Sequence, residues 1–272
     1  MRRLSPCLII MFAVACGGTD NNGGGNPNTP TPSAIALAII GDGNLRTGQN
    51  QTLRADVSFS NGTTQAATSP SWSSSNQTVA TVSSSGVVSA ANHGNTTISV
   101  SAQGLSAQLP VQVWQDYQGA WTGSYIINVC TNTGIFATDP SSWCSMFPPG
   151  KANPFRVTLT QTNGTASGTL ELGSFIGTIS GSVFDSRRFI GAGSASMTVE
   201  GFVFTASVGT FDVLSTGNSL AGNLVVNTTA LGLPGNGYWE ATLGTVTRSL
   251  SAPQLDTREF KGMLGRFVLL KR

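Results

Sequence analysis

The sequence predicts an all-β protein: a β-sandwich followed by an antiparallel β-meander that closes into a barrel. Three observations carry this reading. Short runs of β-branched and aromatic residues recur along the chain, separated by Gly, Asn, Ser and Pro at the spacing of sandwiches and barrels. Within the runs polar and apolar residues alternate, as in Leu53-Arg-Ala-Asp-Val-Ser-Phe59, so one face meets a core and the other meets water. Only 10% of the 272 residues are charged while 39% are hydrophobic, against about 25% charged in ordinary soluble chains. Ser, Thr, Gly and Asn take the place of ions, which suits an extracytoplasmic β protein and argues against a nucleotide-handling enzyme.

The chain opens as an export signal. Arg2 and Arg3 precede an apolar run, Leu8 to Ala15, that is shorter than the roughly 20 residues needed to span a bilayer. Ala13-Val14-Ala15-Cys16 resembles the lipobox of bacterial lipoproteins, with Ala13 where leucine is usual. The resemblance implies removal of residues 1–15 and lipidation of Cys16. The alternative is an ordinary signal cut after Ala15, leaving Cys16 as a free thiol. Residues 16–33 hold almost nothing that can be buried; glycine and asparagine give way to spaced prolines, the composition of a flexible tether. Gly17 after the cysteine, rather than an aspartate, points to the outer membrane or cell surface, and several acyl chains on one residue anchor firmly.

Residues 34–114 form the sandwich, with strands expected at Ile35–Ile40, Thr52–Phe59, Ser71–Ser74, Val79–Val82, Val87–Ala90, Thr96–Ala102 and Ala107–Val113. Asn61-Gly62 and Ser85-Gly86 mark turns. Gly48, Asn61-Gly-Thr63, Trp72-Ser-Ser-Ser-Asn76, Val79-Ala-Thr-Val82, Ser85-Gly-Val-Val88 and Gly94-Asn-Thr-Thr-Ile98 follow in order. In that pattern the segment resembles the bacterial Ig-like domain, group 2. The resemblance implies a seven-stranded Ig-like sandwich without a required disulfide, and a Trp72 that packs in the core instead of stacking on sugars. Members of the family occur in adhesins and as envelope spacers; a single copy favours a spacer.

Residues 115–247 read as the meander. Strands are expected at Trp121–Val129, Phe155–Gln161, Ala166–Leu172, Gly177–Phe184, Phe189–Val199, Phe202–Val208, Thr210–Val213, Leu220–Val226 and Tyr238–Val246, with Asn163-Gly164 as a hairpin turn. Eight or nine strands joined by short links favour closure, which removes exposed edges; a second open sandwich is the rival. The opening Gly119-Ala-Trp-Thr-Gly-Ser-Tyr125 is similar to lipocalin-like and avidin-like barrels, over one strand only. Cys130 and Cys144 flank a loop of Thr, Asn, Pro and Trp and are expected to form a disulfide in an exported protein. With no histidine nearby they do not make up a metal shell.

Chemistry is sparse. The single histidine, His93, sits before Gly94 in an expected turn, and no Gly-x-Ser-x-Gly elbow accompanies it. There is no zinc motif, phosphate loop or dinucleotide turn, so no cofactor or metal is expected. A glycosidase needs two facing carboxylates. Asp139, Glu171, Asp185, Glu200, Asp212 and Glu240 are scattered, with Glu200 and Glu240 the two placed to point into a barrel. The net charge of +2 is concentrated at the ends, since residues 248–272 form a basic tail with Arg248, Arg258, Lys261, Arg266, Lys271 and Arg272. Phe260, Met263, Leu264, Phe267 and Val268 fall at helical spacing there, fitting a membrane-surface helix, whereas Gly262 and Gly265 favour a loosely docked tail. No basic stripe marks a nucleic-acid partner.

The expectation is therefore a lipid-anchored bacterial envelope protein, non-catalytic, with an Ig-like spacer and a binding or adhesion role toward a protein, glycan or small molecule. A small-molecule carrier with a lipocalin-like barrel and a carbohydrate-active hydrolase are the alternatives.

Overall fold

The computed structural model describes residues 36–137, 143–184, 187–199, 201–232 and 234–249; the signal segment, the tether with Cys16 and the tail beyond Ser249 lie outside them. The chain divides between Trp114 and Gln115 into two units.

The first unit holds β1 (Ala36–Ile40), β2 (Asn44–Arg46), β3 (Asn50–Thr52), β4 (Arg54–Ser58), β5 (Thr64–Ala66), β6 (Ser71–Ser74), β7 (Ala80–Val82), β8 (Val87–Ala90), β9 (Gly94–Ala102) and β10 (Leu105–Trp114). One sheet runs β2-β10-β9-β6; the others are β1-β4-β5 and β3-β8-β7. Alternation decides which residues turn inward. Ile98, Val100 and Ala102 of β9 are buried, as are Leu105, Ala107, Leu109, Val111 and Val113 of β10, against Leu37, Val57 and Val88. Trp72 packs half-buried against this core, its ring over Gly86, where an added Cβ would lie 3.3 Å from the ring.

Three three-residue strands, β2, β3 and β5, escaped the sequence reading because they sit at sheet edges and are too short to alternate, β3 meeting the expected run only at Thr52. The expected run Thr52–Phe59 is also interrupted. Leu53, buried, donates its amide to the Gly86 carbonyl (2.8 Å), and there the chain leaves β8 for β1.

The second unit is a closed antiparallel barrel of β11 (Gly119–Asn132), β12 (Ala152–Thr162), β13 (Thr165–Leu172), β14 (Phe175–Val183), β15 (Arg188–Val199), β16 (Phe202–Thr216), β17 (Ser219–Ala230) and β18 (Asn236–Ser249). Closure excludes the open sandwich. Phe202–Val208 and Thr210–Val213, read as two strands, are one. The register with β17 shifts between Val208 and Thr210, so Gly209 marks a bulge in β16, not a turn. The Asn163-Gly164 hairpin is present, with Thr162 opposite Thr165 and Asn163 at φ 52°.

Strand tilt follows from the register. A row leaving Ala120 passes through Thr158, Thr169, Thr178, Ser194, Ser207 and on through Asn227 and Tyr238, rejoining β11 at Thr131, eleven residues further along. Such a shear tilts the strands steeply, and eight strands leave an interior that side chains can fill. At Gly177 the neighbouring strand comes so close that a Cβ would lie 1.9 Å from the Ser194 carbonyl oxygen.

Because the two units have separate cores, Ile98→Ala should destabilise the sandwich alone. A loss of about 2–5 kcal/mol is expected at this fully buried position. Calorimetry of the full chain checks it: one transition falls and the other stays. Equal shifts in both would contradict independent units.

Candidate functional site

Three regions of the barrel carry its chemistry: the end where β11 begins, the opposite end, and the outer wall.

At the first end residues 115–118 are sewn to the barrel. The Tyr117 amide donates to Gln161 Oε1 (2.7 Å), and Gln161 Nε2 donates to the carbonyls of Gln115 and Asn163 (both 3.0 Å). The Tyr117 hydroxyl lies 2.5 Å from the Arg187 carbonyl oxygen and 3.0 Å from that of Val213, and accepts from the Ser215 amide (3.1 Å). Burial pushes its pKa up to about 12, with the Ser215 bond acting the other way. Arg248 locks the seam between the first and last strands. Nη1 donates to Asp116 Oδ2 (2.7 Å) and the Gln118 carbonyl (2.8 Å), and Nη2 to the Asp116 carbonyl (3.0 Å). The guanidinium lies 4.4 Å from the centroid of the Trp121 ring, whose Nε1 donates to the Tyr117 carbonyl (3.0 Å). Counted with the tail in the sequence, Arg248 belongs to β18, which runs on to Ser249.

The opposite end is closed by the described parts of the connection between β11 and β12, residues 133–137 and 143–151. A 3-10 turn, Gly134–Phe136, and a single helical turn, α1 (Trp143–Met146), bring rings inward. Cys130 and Cys144 are disulfide-bonded, as expected, with Cα atoms 5.5 Å apart. A loop of this size stabilises by about 3 kcal/mol in the chain-entropy account. Beside Cys144, Trp143 is fully buried against Phe136 (5.8 Å), Phe204 (5.6 Å), Phe175 (6.5 Å) and Phe147 (6.1 Å); Phe147 in turn meets Trp239 (6.4 Å). Gly237 makes the room, since a Cβ there would lie 2.8 Å from the Trp143 side chain. This turn is a plug.

Between the two closures the bore is filled with rings. Tyr125 stacks on Trp239 (5.3 Å) and Phe155 on Phe211 (6.0 Å), and Phe189 meets Phe211 edge-on (5.9 Å). The rings fit poorly in one respect. Tyr125 OH, Trp143 Nε1 and Trp239 Nε1 are buried without a hydrogen-bond partner. An orphaned buried donor costs about 1–3 kcal/mol, and three in one cluster is unusual. Tyr125 has its pKa raised above the ordinary tyrosine value by burial, so its hydroxyl stays neutral.

The described outer wall is mixed and not the continuous apolar band of a membrane-spanning barrel. Thr169, Thr178, Ser180, Ser194 and Ser207 are exposed together with Ile176, Phe184 and Ile190, while Phe155, Phe189, Phe204, Phe211 and Trp239 are inside. Two ion pairs lie on the described wall, Arg156 with Glu171 (2.9 Å) and Arg188 with Asp212 (2.5 Å). No helix among the described residues is long and apolar enough to cross a membrane.

The carboxylates weighed in the sequence do not meet. Glu171 and Asp212 are held in those wall pairs. Glu240, expected to be able to point inward, faces out and accepts from the Tyr238 hydroxyl (2.5 Å), because Trp239 takes the inward position. Asp139, Asp185, Glu200 and Cys16 lie outside the described residues. His93 lies half-exposed between β8 and β9. Among the described residues no three His, Cys, Asp or Glu side chains gather as a metal site. Sequence reasoning missed Tyr117, Gln161 and Arg248. Tyr117 and Gln161 carry no motif; the clue for Arg248 was the alternation Val246-Thr-Arg248, which continues the strand.

Residues 44–113 match the family model of the bacterial Ig-like domain (group 2), the family whose motifs surround Trp72. No curated protein matches the chain. Among solved structures, domains 4-9 of the surface layer protein SbsC are 14% identical with a TM-score of 0.30, covering 80% of this chain. This chain spans 31% of that one. Domains 5-6 of the same S-layer protein are 16% identical with a TM-score of 0.28, covering 80% of this chain and 100% of that fragment.

Two outcomes follow from the sewn end. Arg248→Ala removes an ion pair, two carbonyl bonds and a cation–π contact at once, and should lower barrel stability by about 2–3 kcal/mol in urea unfolding. Arg248→Lys should recover little, lacking the planar fork. For Tyr117 the folded pKa lies above the unfolded value of 10, so its contribution is whole below pH 10 and is lost as pH rises toward 12. Each pH unit in that window should remove about 1.4 kcal/mol. Tyr117→Phe should flatten the decline between urea midpoints at pH 9.5 and 11.5; an unchanged slope would assign it to other groups.

Proposed function

We propose that this protein is a lipid-anchored binding protein of the bacterial cell envelope, without catalysis, in which the Ig-like module spaces the barrel from the membrane. One observation carries the binding mode: the bore is ring-filled and shut at both ends, so partners are met from outside. The described wall offers rows of hydroxyls, and Arg156 and Arg188 are already paired with Glu171 and Asp212, which suits an uncharged hydrogen-bonding partner such as a glycan or a polar protein surface. The lone Ig-like module supports a spacer, and the lipobox-like Ala13-Val14-Ala15-Cys16 with its Gly- and Pro-rich tether supports the anchor and display at the outer membrane or cell surface. The hydrolase reading has the weakest support, since the described wall carboxylates are engaged by Arg156, Arg188 and Tyr238.

Native mass spectrometry of the protein exported by a bacterial host tests both parts. The expected species begins at Cys16, carries acyl mass and holds no small compound, and Cys16→Ser removes the acyl mass and the membrane association. An unmodified Cys16 would overturn the anchor. One compound released on denaturation would replace outward binding with the carrier reading.

A further inference from the structure

We propose that the Cys130–Cys144 disulfide is a latch on a second, normally shut binding chamber, and that its reduction lets the plug turn swing out to admit an uncharged, ring-bearing molecule with acceptor oxygens.

The observations are geometric. Trp143 and Phe147 fill the space bounded by Phe175, Phe204 and Trp239, and Tyr125 stacks behind Trp239. Once the turn leaves, these rings line a chamber that the rest of the barrel still frames. Its floor presents two donors, Tyr125 OH and Trp239 Nε1, both buried and both unpaired while the plug is seated. The plug supplies ring contacts but no acceptor. A ligand with a carbonyl or ether oxygen supplies both, so it fits the chamber better than the plug does. None of the rings named carries a charge, and an anion or cation would be buried there without a partner.

The latch is placed to matter. Cys144 adjoins Trp143 and ties the turn to β11, while the start of the same connection is held independently, with the Thr133 amide on the Asn236 carbonyl (2.8 Å) and the Ile135 amide on that of Pro234 (3.1 Å). Both cysteines are partly exposed. The reductant is a dithiol. One of its thiolates attacks a sulfur of the disulfide, the released cysteine takes a proton, and the second thiol displaces the mixed disulfide. Two cysteine thiols form on the protein and the dithiol leaves as a disulfide.

Nile red, uncharged and flat with acceptor atoms, serves as the probe on the mature full chain. The oxidised protein should not bind it. After dithiothreitol, or in the variant Cys130→Ser with Cys144→Ser, it should bind one equivalent, with the blue-shifted emission of an apolar site and a cooperative urea transition retained. Adding Tyr125→Phe should weaken that binding about tenfold. Trp143→Ala with Phe147→Ala and the disulfide intact should bind without reductant. Equal binding before and after reduction, or no binding by folded reduced protein and the folded plug variant, would overturn the proposal. So would loss of the cooperative transition on reduction, since the rings would then be core and not chamber. An unaltered affinity in Tyr125→Phe would overturn the assigned donor.

Discussion

Filling a narrow bore is the constraint on which the barrel depends. Eight steeply tilted strands leave an interior that side chains must occupy completely, since an unfilled space forfeits contacts that nothing else restores. The chain meets this with large rings on some inward positions and glycine on others. Phe155, Phe211 and Phe189 interlock across the middle, while Gly177 stands where the next strand presses in. Ring and glycine are two halves of one solution. Strands come closest where there is no Cβ, as at Gly177, and the rings fill the space that remains.

The ends are the harder problem, because strands close a barrel sideways but not at its mouths. One mouth is closed by the chain that enters it. Residues 115–118 give their carbonyls to Gln161 and Arg248, and Tyr117 reaches across to Arg187 and Val213. The other is closed by a 3-10 turn and a helical turn, held by a covalent bond and by glycines that let them lie close. Buried polar atoms lack partners at both ends, Ser215 Oγ and Arg248 Nε at the first and Trp143 Nε1 and Trp239 Nε1 at the second. The ends differ instead in the means of closure, hydrogen bonds at one and a disulfide with packed rings at the other.

Much of this was legible in the residues. Alternation gave both β units and the core positions of β9 and β10, and the motifs around Trp72 gave the Ig-like module over the residues its family model matches. The disulfide was readable from the cysteine count together with the expectation of export. What escaped was whatever depends on partners distant in sequence. Val208 and Thr210 look like the edges of two strands, because a bulge and a turn carry the same local signal, a glycine between β-formers. Glu240 beside Trp239 reads as a candidate for the interior until the register shows which of the pair faces in. Arg248 resembles the charges that follow it; the alternation from Val246 hints that the strand runs on, but its partners Trp121 and Asp116 lie more than a hundred residues earlier.

The Arg248 clamp also has a mechanical meaning. The first and last strands are antiparallel neighbours, and both leave the barrel at the same end. A pull between Gln115 and Ser249 would peel their ladder open rung by rung, the direction in which a sheet resists least, because each hydrogen bond is loaded alone. The first rungs on that path are Ala120 with Ser249 and Trp121 with Arg248. Arg248 lies across them, tied to Asp116 and stacked on Trp121, so tension applied at Gln115 meets several bonds in parallel before it reaches a single rung. Under such a pull the clamp works as a rip-stop.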